Sequence, residues 1–220
     1  RRILFHTDAV QAAGKVPLDV KSMPIDMLSI SGHKLYAPKG IGALYIRRGT
    51  RLHPLLHGGA HEKNRRAGTE NTAGAVALGA ACELARREMA VEEPRLRRLR
   101  DRLEKGVLDR VPFVGVNGHP TERLSNTTSL TFECVEGESL VLALDQAGFT
   151  LHRPDLAGLE ASTGSACASG LMEPSHVLRA IGVPPQLIHG SVRFSLGLFN
   201  TDADVDRALE SATRGAKVMA

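Results

Sequence analysis

Three short runs, Ile3 to His6, Asp26 to Ser31 and Gly42 to Ile46, lack the strict apolar/polar alternation of a half-exposed strand. The first ends at Thr7-Asp8, the second is stopped by Gly32, and the third is entered through a Pro38-Lys39-Gly40 turn. Strands of this kind bury both faces, which predicts an α/β sheet for the first part of the chain. Helical periodicity follows. Ala73 to about Met89 is alanine-rich, and Glu92 to Val111 carries Leu96, Leu99, Leu103 and Val107 three to four apart as an apolar stripe. The interval near residues 90 to 93 separates two predicted helices and is the natural domain boundary, dividing the chain into 1–90 and 91–220.

The second part reads as an α+β module. Thr127 to Glu133 and Ser191 to Leu196 are predicted strands. Ser139 to Ala147 is a helix ended by Gly148, and Pro174 to Ile181 is a helix with proline in its first turn. Thr201 is placed to cap a final helix, with Asp202 and Asp204 near its positive end. Two segments ten residues apart, Asp145 to Phe149 and Asp155 to Leu159, echo each other, either by chance or through a local duplication.

Composition excludes several classes of function. At 220 residues, with 42% hydrophobic and 24% charged residues, the chain has the make-up of an ordinary globular protein. No apolar run approaches about 18 residues, so no membrane span is expected. The net charge of +4 is concentrated around Arg95, Arg97, Arg98, Arg100, Arg102 and Lys105. Glu92, Glu93, Asp101 and Glu104 are interleaved with them, which describes a solvated helix face with ion pairs rather than a nucleic-acid surface. Aromatic residues make up only 4%, too few for base-stacking platforms. Three cysteines without a C-x-x-C pair suggest neither zinc nor a disulfide framework, and free thiols fit a reducing cytoplasm.

A few residues stand out for their chemistry. Lys34 ends a Ser31-Gly32-His33-Lys34 turn after a buried-looking strand. A lysine amine can hold a carbonyl cofactor as a Schiff base, and Ser31 and His33 can donate to a phosphate. Asp8 reads either as a helix N-cap, with Gln11 at the spacing of a capping pair, or as a carboxylate that keeps a ring nitrogen protonated. Arg65 to Asn71 is a polar loop before a helix, either a charged connection capped by Thr69 or Asn71 or an anion site. His57 and His61 are four apart, but the glycines between them argue against a helical metal pair. Cys167 sits in a small-residue loop, Ser162 to Gly170, where a thiol is accessible to react. Cys82 and Cys134 read as packing residues. Arg193, inside a strand, needs a partner: a structural ion pair or a substrate carboxylate.

These segments together closely resemble the cysteine desulfurases of the class-V aminotransferase family. The similar stretches are Asp8 to Gln11, Leu28 to Lys34, Pro38 to Tyr45, Arg66 to Asn71, Ser165 to Cys167, Glu173 to His176 and Ser191 to Gly197, in the family's order. The short Ser-Ala-Cys form is similar to the branch serving iron–sulfur cluster assembly. The resemblance implies a fold-type-I pyridoxal-phosphate-dependent transferase. Residues 1–90 would be the C-terminal part of the cofactor-binding large α/β domain, and residues 91–220 the small α+β domain carrying the cysteine loop. It implies that Lys34 holds pyridoxal 5'-phosphate, Asp8 pairs with the ring nitrogen and Gln11 contacts the ring hydroxyl. Ser31, His33 and, across a homodimer interface, Thr69 bind the phosphate. Arg193 would clamp the carboxylate of L-cysteine, and Cys167 would take its sulfur as a persulfide for a sulfur-acceptor or iron–sulfur scaffold protein.

The same resemblance implies that the chain begins near the family's middle. The glycine-rich phosphate segment, a ring-stacking histidine and a substrate-side asparagine have no counterpart, and Thr150 to Leu159 looks inserted. The chain is therefore expected to be a fragment, a truncated gene product or one piece of a split protein. The rival expectations are another class-V enzyme, such as an aminotransferase or selenocysteine lyase, and an inactive fragment that only dimerises or binds a scaffold.

Overall fold

The computed structural model describes residues 3–133, 135–144, 160–163 and 175–219. The chain divides into two compact units, Arg1–Ala90 and Val91–Ala220.

The first unit holds a three-stranded sheet of β1 (His6–Asp8), β2 (Met27–Ser31) and β3 (Gly42–Ile46), in that order. β1 and β2 are parallel, with Asp8 opposite Ser29, and residues 9–26 make the crossover. β3 returns antiparallel to β2. The first strand starts at His6 rather than Ile3, because β2 offers its first partner residue at Met27. Before it, the Phe5 carbonyl accepts from the Asp26 and Met27 amides. The expectation of burial on both faces does not hold. Asp8 is exposed, and Leu44 is 44% exposed. The cover that is present comes from the crossover and the following helix. Ala13, Leu35, Ala37, Leu78 and Ala81 form one small cluster, and Ala9, Ile25 and Leu28 another. Arg47 adds a polar staple: its Nε donates to the Ile25 carbonyl and one Nη to those of Val20 and Met23, all at 2.7 Å.

One helix, α1 (Thr72–Arg110), replaces the two predicted ones and runs through Pro94. Proline removes one intrahelical donor and crowds the preceding turn. The helix nevertheless continues, because strong helix formers flank the site and Glu92–Arg95 and Glu93–Arg97 pairs span it.

The second unit contains an antiparallel sheet of β4 (Val114–Val116), β5 (Thr127–Phe132), β6 (Glu160–Ser162) and β7 (Ser191–Ser195), in the order β4-β5-β7-β6. Its helices are α2 (Gly137–Leu144), α3 (His176–Ala180), α4 (Pro185–Ile188) and α5 (Asp202–Met219). β5 and β7 alternate as predicted. Leu130, Phe132, Val192 and Phe194 face a core completed by Leu99, Leu103, Val107, Leu140, Val205 and Leu209. The predicted stripe of α1 is thus the floor of this core. Thr201 caps α5 through a reciprocal pair: its amide donates to Asp204 Oδ2 at 2.7 Å, and the Asp204 amide donates to Thr201 Oγ1 at 3.4 Å.

Other expectations shift. α3 starts at His176 with Ser175 as its cap, so it has no proline in its first turn, and the proline at a first helical position belongs to α4. The arginine run is more than a solvated face. Arg95 donates to the carbonyls of Leu198 and Asn200, Arg98 and Arg102 pair with Asp202, and Arg100 is buried against the Leu124 carbonyl. Sequence spacing reveals pairs within a helix but not these distant partners. The predicted end of α2 beyond Leu144, the Asp145–Leu159 echo, Cys134 and Cys167 lie outside the described residues. No helix among the described residues is long and apolar enough to cross a membrane.

Candidate functional site

The ends of β1 and β2 gather most of the singled-out residues of the first unit. Asp8 is the last residue of β1, and Gln11 lies exposed in the turn that follows. Ser31 is the last residue of β2, and a single 3-10 turn, Gly32–Leu35, carries His33 and Lys34. Because β1 and β2 are parallel, these residues share the carboxyl end of the strand pair, the usual place for ligands in α/β sheets.

Local chemistry holds this turn in place. The Gly32 amide donates to the Ile41 carbonyl at 2.9 Å. A Cβ at Gly32 would sit 2.7 Å from Ile41 Cγ2 and 3.0 Å from that carbonyl oxygen, so the turn requires glycine there. Leu35 is buried in the core, which anchors the far end, and Tyr36 leaves the turn in the left-handed conformation at φ 64°. Lys34 is held between these two anchors and is half-buried. The Ser31 hydroxyl and His33 Nδ1 are hydrogen-bonded at 2.8 Å. Asp8 Oδ1 accepts from the Val10 amide at 2.9 Å, which orients the carboxylate as an Asx turn does. The helix that Asp8 would cap is not formed: residues 10–15 are turns, and one carboxylate oxygen of Asp8 closes a local turn instead. The group thus comprises an amine, a carboxylate, a hydroxyl and an imidazole on one strand end.

Thr69 is not with them. It lines a separate cavity of about 1070 Å³ formed by β3, the 52–71 loop and the start of α1, together with Arg65, Arg66 and Asn71. None of Asp8, Gln11, Ser31, His33 or Lys34 is in its walls. Asn71, not Thr69, caps α1, accepting from the Gly74 amide at 3.0 Å. The loop also holds three consecutive residues, Glu62, Lys63 and Asn64, at φ 49° to 62°. Such conformations are costly for side chains other than glycine.

Arg193 belongs to the second unit, in the middle of β7 and half-buried. Its Nε is buried with no hydrogen-bond partner. Sequence reading passed over the hydroxyl-rich face around it. Thr131 Oγ1 and Ser191 Oγ are 2.7 Å apart, Thr131 donates to Asn117 Oδ1 at 2.9 Å, and Asn117 donates to Ser129 Oγ at 3.2 Å. The signal was present in the alternation of T-T-S-L-T-F and S-V-R-F-S, which sends every Ser, Thr and Arg at odd positions to one face.

Residues 1–208 match the model of the class-V aminotransferases. The chain is 55% identical over 207 residues to a cysteine desulfurase of Gluconacetobacter diazotrophicus, covering 94% of this chain and 49% of that protein. It is 56% identical over 209 residues to the cysteine desulfurase IscS of Methanosarcina thermophila, covering 95% and 49%. Among solved structures, a NifS-like protein superposes with a TM-score of 0.82 at 31% identity, covering 98% of this chain and 53% of that one. Another, from Rickettsia africae, superposes with a TM-score of 0.83 at 27% identity, covering 97% and 54%. The chain spans about half the length of the curated relatives it matches.

Proposed function

The chain belongs to the class-V aminotransferase family, and from that premise we propose that it carries the lysine and cysteine half of a cysteine desulfurase. The reaction removes sulfur from L-cysteine, leaving L-alanine and a persulfide on Cys167. The observation that carries the reading is the gathering of Asp8, Ser31, His33 and Lys34 on the carboxyl end of β1 and β2.

That donor set suits pyridoxal phosphate. Lys34 would bind its carbonyl carbon and afterwards carry protons. Asp8 would keep the ring nitrogen protonated, and Gln11 would contact the ring hydroxyl. Ser31 and His33 would bind the phosphate, with Thr69 of a second copy in a homodimer. When bound, the cofactor supplies an electron sink. Arg193 would hold the substrate carboxylate through its fork of N–H donors. The Cys167 thiolate would attack the substrate sulfur, a step that requires a deprotonated thiol and one kept unoxidised, as a reducing compartment such as the cytoplasm keeps it. In this reading residues 1–90 serve the cofactor, and residues 91–220 bring the cysteine loop and the sulfur acceptor or iron–sulfur scaffold.

Borohydride reduction in the presence of pyridoxal phosphate, followed by peptide mass spectrometry, tests the reading. The expected adduct is confined to the Lys34 peptide and is absent in Lys34→Ala. Adducts scattered over surface lysines would refute it. Sulfide release from L-cysteine that survives Cys167→Ala would refute the role of the thiol.

A further inference from the structure

The face of the second sheet that points away from its core carries a row across three strands. Arg193 of β7 lies opposite Ser129 of β5 on one side and opposite Ser162 of β6 on the other. Directly opposed residues share a face, with Cβ atoms about 4.5–5.5 Å apart. Two atoms in this row are buried without a hydrogen-bond partner: Arg193 Nε and Ser162 Oγ. The third residue is held differently. Ser129 Oγ already accepts from Asn117 Nδ2 at 3.2 Å, so its own proton points elsewhere.

Burying a polar atom unpartnered costs free energy, and burying a cationic group's donor costs more. Two such orphans opposite each other on adjacent strands are most economically satisfied by one ligand that accepts from both. The row presents only hydroxyl and guanidinium groups, so the ligand is anionic. The planar guanidinium fork at its centre matches the two oxygens of a carboxylate.

We propose that Ser162 is a substrate-binding residue acting beside Arg193, and that the row Ser129–Arg193–Ser162 forms a clamp for the carboxylate of a small amino acid. Ser162 donates its hydroxyl proton to the carboxylate that Arg193 holds, and Ser129, fixed by Asn117, closes the other side. The choice of an amino acid as ligand rests on the desulfurase reading; the carboxylate clamp rests on the register and the two orphaned atoms. Ser162 also ends β6, so the clamp lies on the strand leading toward the Cys167 loop in sequence.

The test reads the Arg193 Nε–Hε resonance in nitrogen-correlated NMR spectra of the whole chain, assigned by its loss in Arg193→Lys. L-alanine, the unreactive product of the proposed reaction, is titrated at constant ionic strength, with L-alaninamide as the control lacking a carboxylate. The expected result is a saturable shift with L-alanine and none with the amide. Ser162→Ala should weaken binding by about ten- to a hundredfold, the range for a hydrogen bond to a charged group. Ser162→Thr, which keeps the hydroxyl, should restore most of it. Backbone amide shifts of β5 and β7 show whether each variant keeps its fold. An equal response to the amide, no saturable shift at the highest soluble L-alanine concentration, or affinity unchanged in folded Ser162→Ala would overturn the proposal. These readings are independent of the Lys34 adduct. A clamp without an adduct leaves this inference standing and the desulfurase reading fallen, whereas an adduct together with affinity unchanged in folded Ser162→Ala removes Ser162 and leaves the desulfurase reading standing.

Discussion

Replacing Gly32 by alanine tests how the fold holds the Lys34 turn. The added Cβ would meet Ile41 Cγ2 at 2.7 Å and the Ile41 carbonyl oxygen at 3.0 Å, with Ala37 Cβ at 3.2 Å. Comfortable carbon contacts lie near 3.5–4.0 Å. The Ile41 side chain can rotate away, but its carbonyl is held by the Gly32 amide at 2.9 Å, so the backbone of the turn must move. Overpacking of this kind costs about 1–3 kcal/mol. For a domain of about 60–100 residues each kcal/mol lowers the melting temperature by roughly 4–8 °C. A loss of about 4 °C or more is therefore expected in a thermal melt, together with slower borohydride labelling of Lys34. Gly79→Ala is the internal control. It lies in α1 with no neighbour within 4 Å of the new Cβ, so removing a helical glycine should stabilise by about 0.5–1 kcal/mol. If Gly32→Ala melts at the wild-type temperature and labels Lys34 at the wild-type rate, the steric argument is wrong.

Further substitutions probe the frame. Arg47→Ala removes one donor group from three carbonyls and, because the side chain is half-buried, should lower stability by about 2 kcal/mol in a urea titration; an unchanged midpoint would show that water replaces the staple. Leu103→Ala, at a site with 0% exposure in the second core, should cost about 2–5 kcal/mol, and a loss below 1 kcal/mol would mean that the core collapses around the gap. Glu104 gives a pH dependence. Burial is the strongest single influence and pushes its carboxyl up, but hydrogen bonds from Arg123 and Thr128 and the charges of Arg123 and Arg100 together hold it below the ordinary value of 4.5. A lowered folded-state value means that the carboxylate's contribution is complete above the unfolded-state value and is lost as pH falls through the folded one. The stability gap between the protein and Glu104→Gln should therefore be widest near neutrality and shrink in acid; a gap equal at both pH values would remove Glu104 as the cause.

Much of the fold was legible because its causes are local. The stripe of Leu96, Leu99, Leu103 and Val107, the alternation of β5 and β7, and the Thr201 cap each depend on side chains a few residues apart. So does the lysine turn, where Ser31, His33 and Lys34 travel together and the strand before them sets their position. β4, β6 and α4 were missed because three or four residues carry no measurable period. The continuity of α1 through Pro94 was missed because a proline is read as a stop, whereas its flanking helix formers and ion pairs decide the matter.

From residue order alone came the element types, the residue chemistry of the lysine turn and the family resemblance, since each is written in short-range spacing. Tertiary structure alone decided which strand pairs with which, and hence that Arg193 stands between Ser129 and Ser162. It also turned the Arg95–Arg102 run into a clamp on the start of α5. The reason is physical: a side chain's spacing along the chain sets its face, but its partners are set by which distant segment packs there, and that contact is recorded at no single place in the sequence.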